Sequence, residues 1–132
     1  MFANRTMPLV MIGAAGAALA VSLSGPAPQA TPTPAELALG DSVYHGRVGG
    51  ALCYVCHGSA GKGVTGIGPN LTDREWLNGD GTAEAIAKVI TEGVAKPKKA
   101  PAPMPPKGGG QLTDAQIKAA AAYVHSLGQP KK

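Results

Sequence analysis

The residues whose chemistry stands out are Cys53, Cys56 and His57, in the run Cys53-Tyr54-Val55-Cys56-His57. They comprise both cysteines of the chain and one of its three histidines. Two thiols at this spacing can reach the two vinyl groups of one haem and form thioethers. The adjacent imidazole then falls under the macrocycle, where it can bind iron. Three other chemistries share the spacing. A redox dithiol prefers a strand before the pair and a helix start at the first Cys, whereas the approach here is Gly-rich, through Gly49 and Gly50. A zinc half-site needs further ligands, yet there is no third Cys, and His45 and His125 are unpaired by spacing. A bare pair would be a reactive dithiol in an oxidising compartment. The two cysteines are also too close together to staple a fold as a disulfide.

An iron held by His57 has a second face to fill. Met1, Met7 and Met11 lie in the N-terminal leader, so Met104 is the only methionine of the remaining chain. A thioether is a soft ligand that suits electron transfer, and His/Met ligation raises the potential. Methionine also fills core gaps, but Met104 stands among Pro103, Pro105 and Pro106 rather than on a helix face. His45 and His125 are the alternatives for a second histidine ligand, and both read as surface residues. Trp76 and Arg74 are candidates to meet haem carboxylates, which need donors or cations when buried. Their plain alternatives are core filler and a solvated charge. Lys96, Lys98, Lys99 and Lys107 flank Met104. They read either as a solubilising loop surface or as a basic collar that steers an acidic partner.

The elements that must position these groups are helices. Thr33 is an N-cap with Pro34 at N1 and Glu36 completing a capping box. Leu37, Gly40 and Tyr44 then share one face, and Gly46, Gly49 and Gly50 end the helix. Asp73–Leu77 could make one helical turn. Thr82 caps a second helix with Ile86, Ile90 and Val94 on one face. Lys96–Gly110 holds five prolines and three consecutive glycines, so it is neither helix nor strand interior. Thr113 and Gln116 form a second capping box, before a stripe of Ile117, Ala120, Ala121, Val124 and Leu127. No segment alternates with period two. The fold class is all-α, with three main helices and long Gly/Pro loops.

Residues 1–30 read as a secretory signal: Arg5, then a 17-residue apolar run from Met7 to Leu23, then small residues ending at Ala30. The alternative is an uncleaved anchor, for which an Ala- and Gly-rich run of that length is marginal. Export from a bacterium would place residues 31–132, one domain, in the periplasm or on the outer membrane face. That is also where haem is covalently attached.

The whole chain has 132 residues and a net charge of +4. This excludes large multidomain enzymes, and no dense basic stripe with interleaved aromatics points to nucleic acid. Outside the leader the only Phe, Tyr or Trp residues are Trp76, Tyr44, Tyr54 and Tyr123. So small a domain with so few large side chains struggles to build a core, which invites a cofactor as part of it. No Ser/His/Asp set, paired carboxylate site or phosphate loop is present.

Five motifs in order resemble the class I c-type cytochromes, closest to the monohaem domains associated with cbb3 oxidases. They are Gly40 with Tyr44, Cys53 to His57, Gly68-Pro69-Asn70-Leu71, Met104-Pro105-Pro106, and Tyr123 in Ala122-Tyr123-Val124. The resemblance covers about residues 35–128. It implies a small cytochrome c fold around one haem c bound through Cys53 and Cys56. His57 and Met104 would be axial ligands, the Pro69 carbonyl would accept from His57, and Leu71 would lie against the haem. It implies an electron-transfer protein rather than an enzyme, either a free carrier or a subunit of a respiratory or photosynthetic complex. Redox proteins would be its partners, among them a membrane oxidase or a quinol-oxidising complex. The rival expectation is a haem enzyme or gas sensor with an open distal site. The Lys/Pro stretch Lys96–Pro103 is no hallmark of the family.

Overall fold

A computed structural model describes residues 30–130. The leader expected over 1–30 lies outside the described residues, apart from Ala30. Four α-helices follow one another: α1 Pro34–Tyr44, α2 Cys53–His57, α3 Ala83–Glu92 and α4 Asp114–Leu127. A tight turn, Pro106–Gly109, with left-handed backbone at Lys107 and Gly108, precedes α4. Among the described residues there is no strand, only two isolated bridges, Val64 with Gly68 and Val94 with Met104.

Local chemistry sets the helix starts. Thr33 and Thr113 each accept from the backbone N–H three residues on, and Glu36 and Gln116 reach back to the cap N–H. Both capping boxes therefore satisfy two otherwise unpaired donors apiece. Thr82 caps α3 through Ala85 N–H. Its own N–H and hydroxyl donate to Asp80 at 3.0 and 2.7 Å.

Helices α1 and α4 cross closely, and Gly40 makes that possible. A Cβ there would lie 2.1 Å from the Ala119 carbonyl oxygen and 2.6 Å from Tyr123 Cβ. Only a residue without a side chain fits. Tyr44 and Tyr123 meet beside this crossing with ring centroids 5.4 Å apart. The Tyr44 hydroxyl donates to the Gly58 carbonyl at 2.6 Å, tying α1 to the end of the Cys53–His57 turn. Burial pushes the Tyr44 phenol far above its ordinary pKa, with Cys53 as a smaller cause. The core around these rings is made of Val43, Ile86, Ile90, Leu112, Ile117, Ala120, Ala121 and Val124.

Two expectations are corrected. Asp73–Leu77 is not helical. Arg74 takes a left-handed φ of 63°, and its Nε donates to the Gly128 carbonyl at 2.7 Å. A residue with left-handed φ cannot continue a right-handed helical turn. Helix α3 stops at Glu92, because Gly93 turns the chain with φ 68°. Val94 therefore leaves the face of Ile86 and Ile90 and pairs instead with Met104. The Pro-rich stretch is irregular as expected: inside Pro106–Gly109 the backbone of Lys107 and Gly108 is left-handed, with φ 54° and 60°.

Candidate functional site

Helix α2 is a single turn that presents Cys53, Cys56 and His57 to one cleft of about 330 Å³. Both cysteines are free thiols, and burial raises the Cys53 thiol above its usual pKa. The cleft is walled by apolar side chains that include Leu71, Trp76, Ile86, Val89, Ile90 and Val124. Its size falls within the range of small-molecule and cofactor sites, roughly 300–1,000 Å³.

His57 is 9% exposed. Its Nδ1 lies 2.9 Å from the Pro69 carbonyl oxygen. A carbonyl only accepts, so Nδ1 carries the proton and Nε2 keeps its lone pair. Among the described residues no buried side-chain nitrogen or oxygen lacks a partner. The unbonded Nε2 is therefore open, and the space beside His57 is the cleft. Burial lowers the imidazole pKa, against a smaller opposing effect of the Pro69 bond. The neutral, ligand-competent form is thereby favoured. Pro69 is itself held by the loop after α2, where Gly63 N–H donates to the His57 carbonyl at 2.7 Å and Leu71 N–H to Gly61 at 2.7 Å. Asn70 Oδ1 accepts from both the Thr72 N–H and hydroxyl at 2.8 Å, fixing the turn that delivers Leu71.

Met104 enters the same cleft from another part of the chain. The two backbone bonds of its bridge with Val94, 2.8 and 3.0 Å, anchor it to the end of α3. Gly93 lies beneath: a Cβ there would come 2.5 Å from the Met104 carbonyl oxygen and 2.7 Å from Pro106 N. All six residues expected at the site, Cys53, Cys56, His57, Pro69, Leu71 and Met104, thus line one cavity. Two thiols, one imidazole nitrogen and one thioether in an apolar slot fit a covalently held haem.

Other candidates are sorted by the same geometry. Trp76 lines the cleft, whereas Arg74 does not. His45 and His125 are absent from the lining. The ring nitrogens of His45 face the Asp41 and Ser59 carbonyls at 2.9 and 3.0 Å, and His125 Nδ1 faces the Gly81 carbonyl at 2.8 Å. Of the four lysines near Met104, Lys98 and Lys99 line the cleft and Lys96 and Lys107 do not. Lys107 Nζ donates to the Leu112 carbonyl at 3.1 Å. Lys98 Nζ donates to the Leu77 carbonyl at 2.6 Å, and Lys99 pairs with Glu75. Leu52, Val55 and Ile67, exposed by 53%, 49% and 42%, also border the cleft. Sequence reasoning did not single them out, although Leu52 precedes the first cysteine and Val55 lies between the two.

The chain matches the family model described as cytochrome c oxidase, cbb3-type, subunit III, over residues 35–124. It is 44% identical over 80 residues to the cbb3-type cytochrome c oxidase subunit FixP of Bradyrhizobium diazoefficiens, covering 60% of this chain and 25% of that one. The FixP of Azorhizobium caulinodans is 38% identical over 108 residues, 81% of this chain and 31% of the relative. The CcoP subunit of Rhodobacter capsulatus is 42% identical over 77 residues, 58% and 26% of the two chains. The chain thus spans between a quarter and a third of the length of these relatives. Among solved structures, cytochrome cL of Methylophaga aminisulfidivorans is similar with a TM-score of 0.52 at 22% identity, covering 73% of this chain and 55% of the other. A chain of a Kuenenia stuttgartiensis reducing HAO-like complex gives 0.54 at 20% identity, covering 74% and 46%. These two likenesses speak for the fold, which is the small all-α cytochrome c fold.

Proposed function

The chain belongs to the family of cbb3-type cytochrome c oxidase subunit III, and from that premise we propose that it transfers electrons with one covalently attached haem c. The observation that carries the reading is the convergence of His57 and Met104, from separate segments, on one apolar cleft that also holds both cysteines. Cys53 and Cys56 would hold the haem through thioethers, and His57 Nε2 and the Met104 sulfur would bind its iron. When bound, that group supplies a one-electron Fe(III)/Fe(II) couple. The chain's own residues do the rest. The Pro69 carbonyl fixes the His57 ring and its tautomer and raises the ligand's basicity. The apolar walls, Leu71 among them, exclude water. Pro103, Pro105 and Pro106 restrict the loop that presents Met104, so less entropy is lost when its sulfur is held. A thioether favours Fe(II) and keeps the potential up.

The rival reading, a haem enzyme or gas sensor, needs an open distal face, and the Val94–Met104 bridge favours a closed one. The relatives are named as oxidase subunits, which supports a redox partner within a membrane oxidase. Residues 1–30 would export the domain to the periplasm. Among the described residues no helix is long and apolar enough to cross a membrane.

The test is a redox titration of wild type, Met104→His and Met104→Ala, each first shown to hold haem covalently. Met104→His should lower the potential, since imidazole suits the ferric state better. Met104→Ala should bind carbon monoxide rapidly when reduced, and wild type slowly. An unchanged potential in both variants would remove Met104 from the iron.

A further inference from the structure

Haem brings two carboxylates into its cleft besides the vinyl groups that bond to cysteine. Carboxylates against apolar walls need cationic partners. Arg74, the cation nearest in sequence to Trp76, stands outside the lining. The charged side chains that line the cleft are His57 when protonated, Glu75, Lys98 and Lys99.

Both lysines come from the Lys/Pro stretch that the family motifs leave unexplained. The Val94–Met104 bridge closes residues 95–103 into a loop, stiffened by Pro97, Pro101 and Pro103. Lys98 is drawn to the Leu77 carbonyl, and Lys99 to Glu75. An ammonium has three donors. After its one bond to Leu77, Lys98 has two left. Lys99 offsets the charge of Glu75, which would otherwise repel another carboxylate, so the group keeps a net positive charge. Lys96 is exposed on the same loop but is not part of the lining.

We propose that Lys98 and Lys99 hold the haem carboxylates, so that one short loop supplies both an iron ligand and the counter-charge of the cofactor. The inference rests on the reading of the cleft as a haem site. Cation contact draws charge from the carboxylates and disfavours the ferric form. Loss of either lysine therefore lowers the potential.

The test uses the full-length holoprotein. Lys98→Gln, Lys99→Gln and Lys96→Gln each remove one exposed positive charge. Each variant is compared with wild type by redox titration and by the carboxylate bending bands in resonance Raman spectra. Lys98→Gln and Lys99→Gln should shift those bands and lower the potential more than Lys96→Gln does. Bands that stay fixed in both, or an equal fall in all three variants, would overturn the assignment and leave the haem reading standing. A wild-type protein without covalent haem would overturn both. Exposed single substitutions should fold. A variant that lost haem instead would still be read by the other lysine's bands.

Discussion

On the proposed ligation, Gly93→Ala should detach the Met104 sulfur from the iron without replacing any proposed ligand. Gly93 has φ 68° and ψ −171°, a region that is essentially glycine-only and costs other residues about 1–3 kcal/mol. The new Cβ would also meet the Met104 carbonyl oxygen at 2.5 Å. Ordinary contact begins near 3.4 Å, so about 0.9 Å of movement is required. Two partners can yield. The end of α3 is held by the Gly93 N–H bond to Val89 at 2.8 Å and by buried Ile90. The Met104 loop is held by two bridge bonds, each worth about 0.5–1.5 kcal/mol net. The strain matches or exceeds those bonds, so the loop moves and the sulfur moves with it. The assay is the red charge-transfer band of thioether-bound ferric haem, together with carbon monoxide binding after reduction. Gly66→Ala is the control for backbone strain alone, since Gly66 has φ 74° and nothing within 4 Å of its built Cβ. Gly93→Ala should lose the band and bind carbon monoxide as Met104→Ala does, and Gly66→Ala should do neither. A wild-type band and slow carbon monoxide binding in Gly93→Ala would refute the steric argument.

Other substitutions probe the scaffold. Gly40→Ala should cost at least the roughly 1–3 kcal/mol typical of overpacking, because its Cβ would meet backbone of α4 rather than a flexible side chain; chemical denaturation of the holoprotein checks this. Replacing both Cys53 and Cys56 by Ala should leave little folded holoprotein, since the cofactor completes an aromatic-poor core; a stable, compact apoprotein would contradict it. Bonds from the Thr82 N–H and hydroxyl hold the Asp80 carboxyl below its usual pKa. Its contribution is thus present above the ordinary carboxylate pKa and is lost as pH falls through the lowered one. Asp80→Asn should flatten that part of an acid-unfolding curve.

What could be read from the sequence was what local chemistry decides. Thr33 with Glu36 and Thr113 with Gln116 marked two helix starts because a capping box is closed by residues three apart. The Cys53–His57 motif works the same way, its three groups brought together by one helical turn. The end of α3 was harder to place, since Ile86, Ile90 and Val94 keep the helical period while Gly93 breaks it. Arg74 could not be placed at all, because its partner is a carbonyl 54 residues away. The same limit hid the meaning of Lys98 and Lys99. As a charge run they resemble any solvated loop, and only the bridge between Val94 and Met104 folds that run over the cleft. The bridge therefore couples two properties that the sequence presents separately. Whatever displaces Met104 through Gly93 or Val94 also displaces the lysines. Gly93→Ala should accordingly shift the haem carboxylate bands as well as open the iron, whereas Met104→Ala, which keeps the backbone bridge, should open the iron and leave those bands in place.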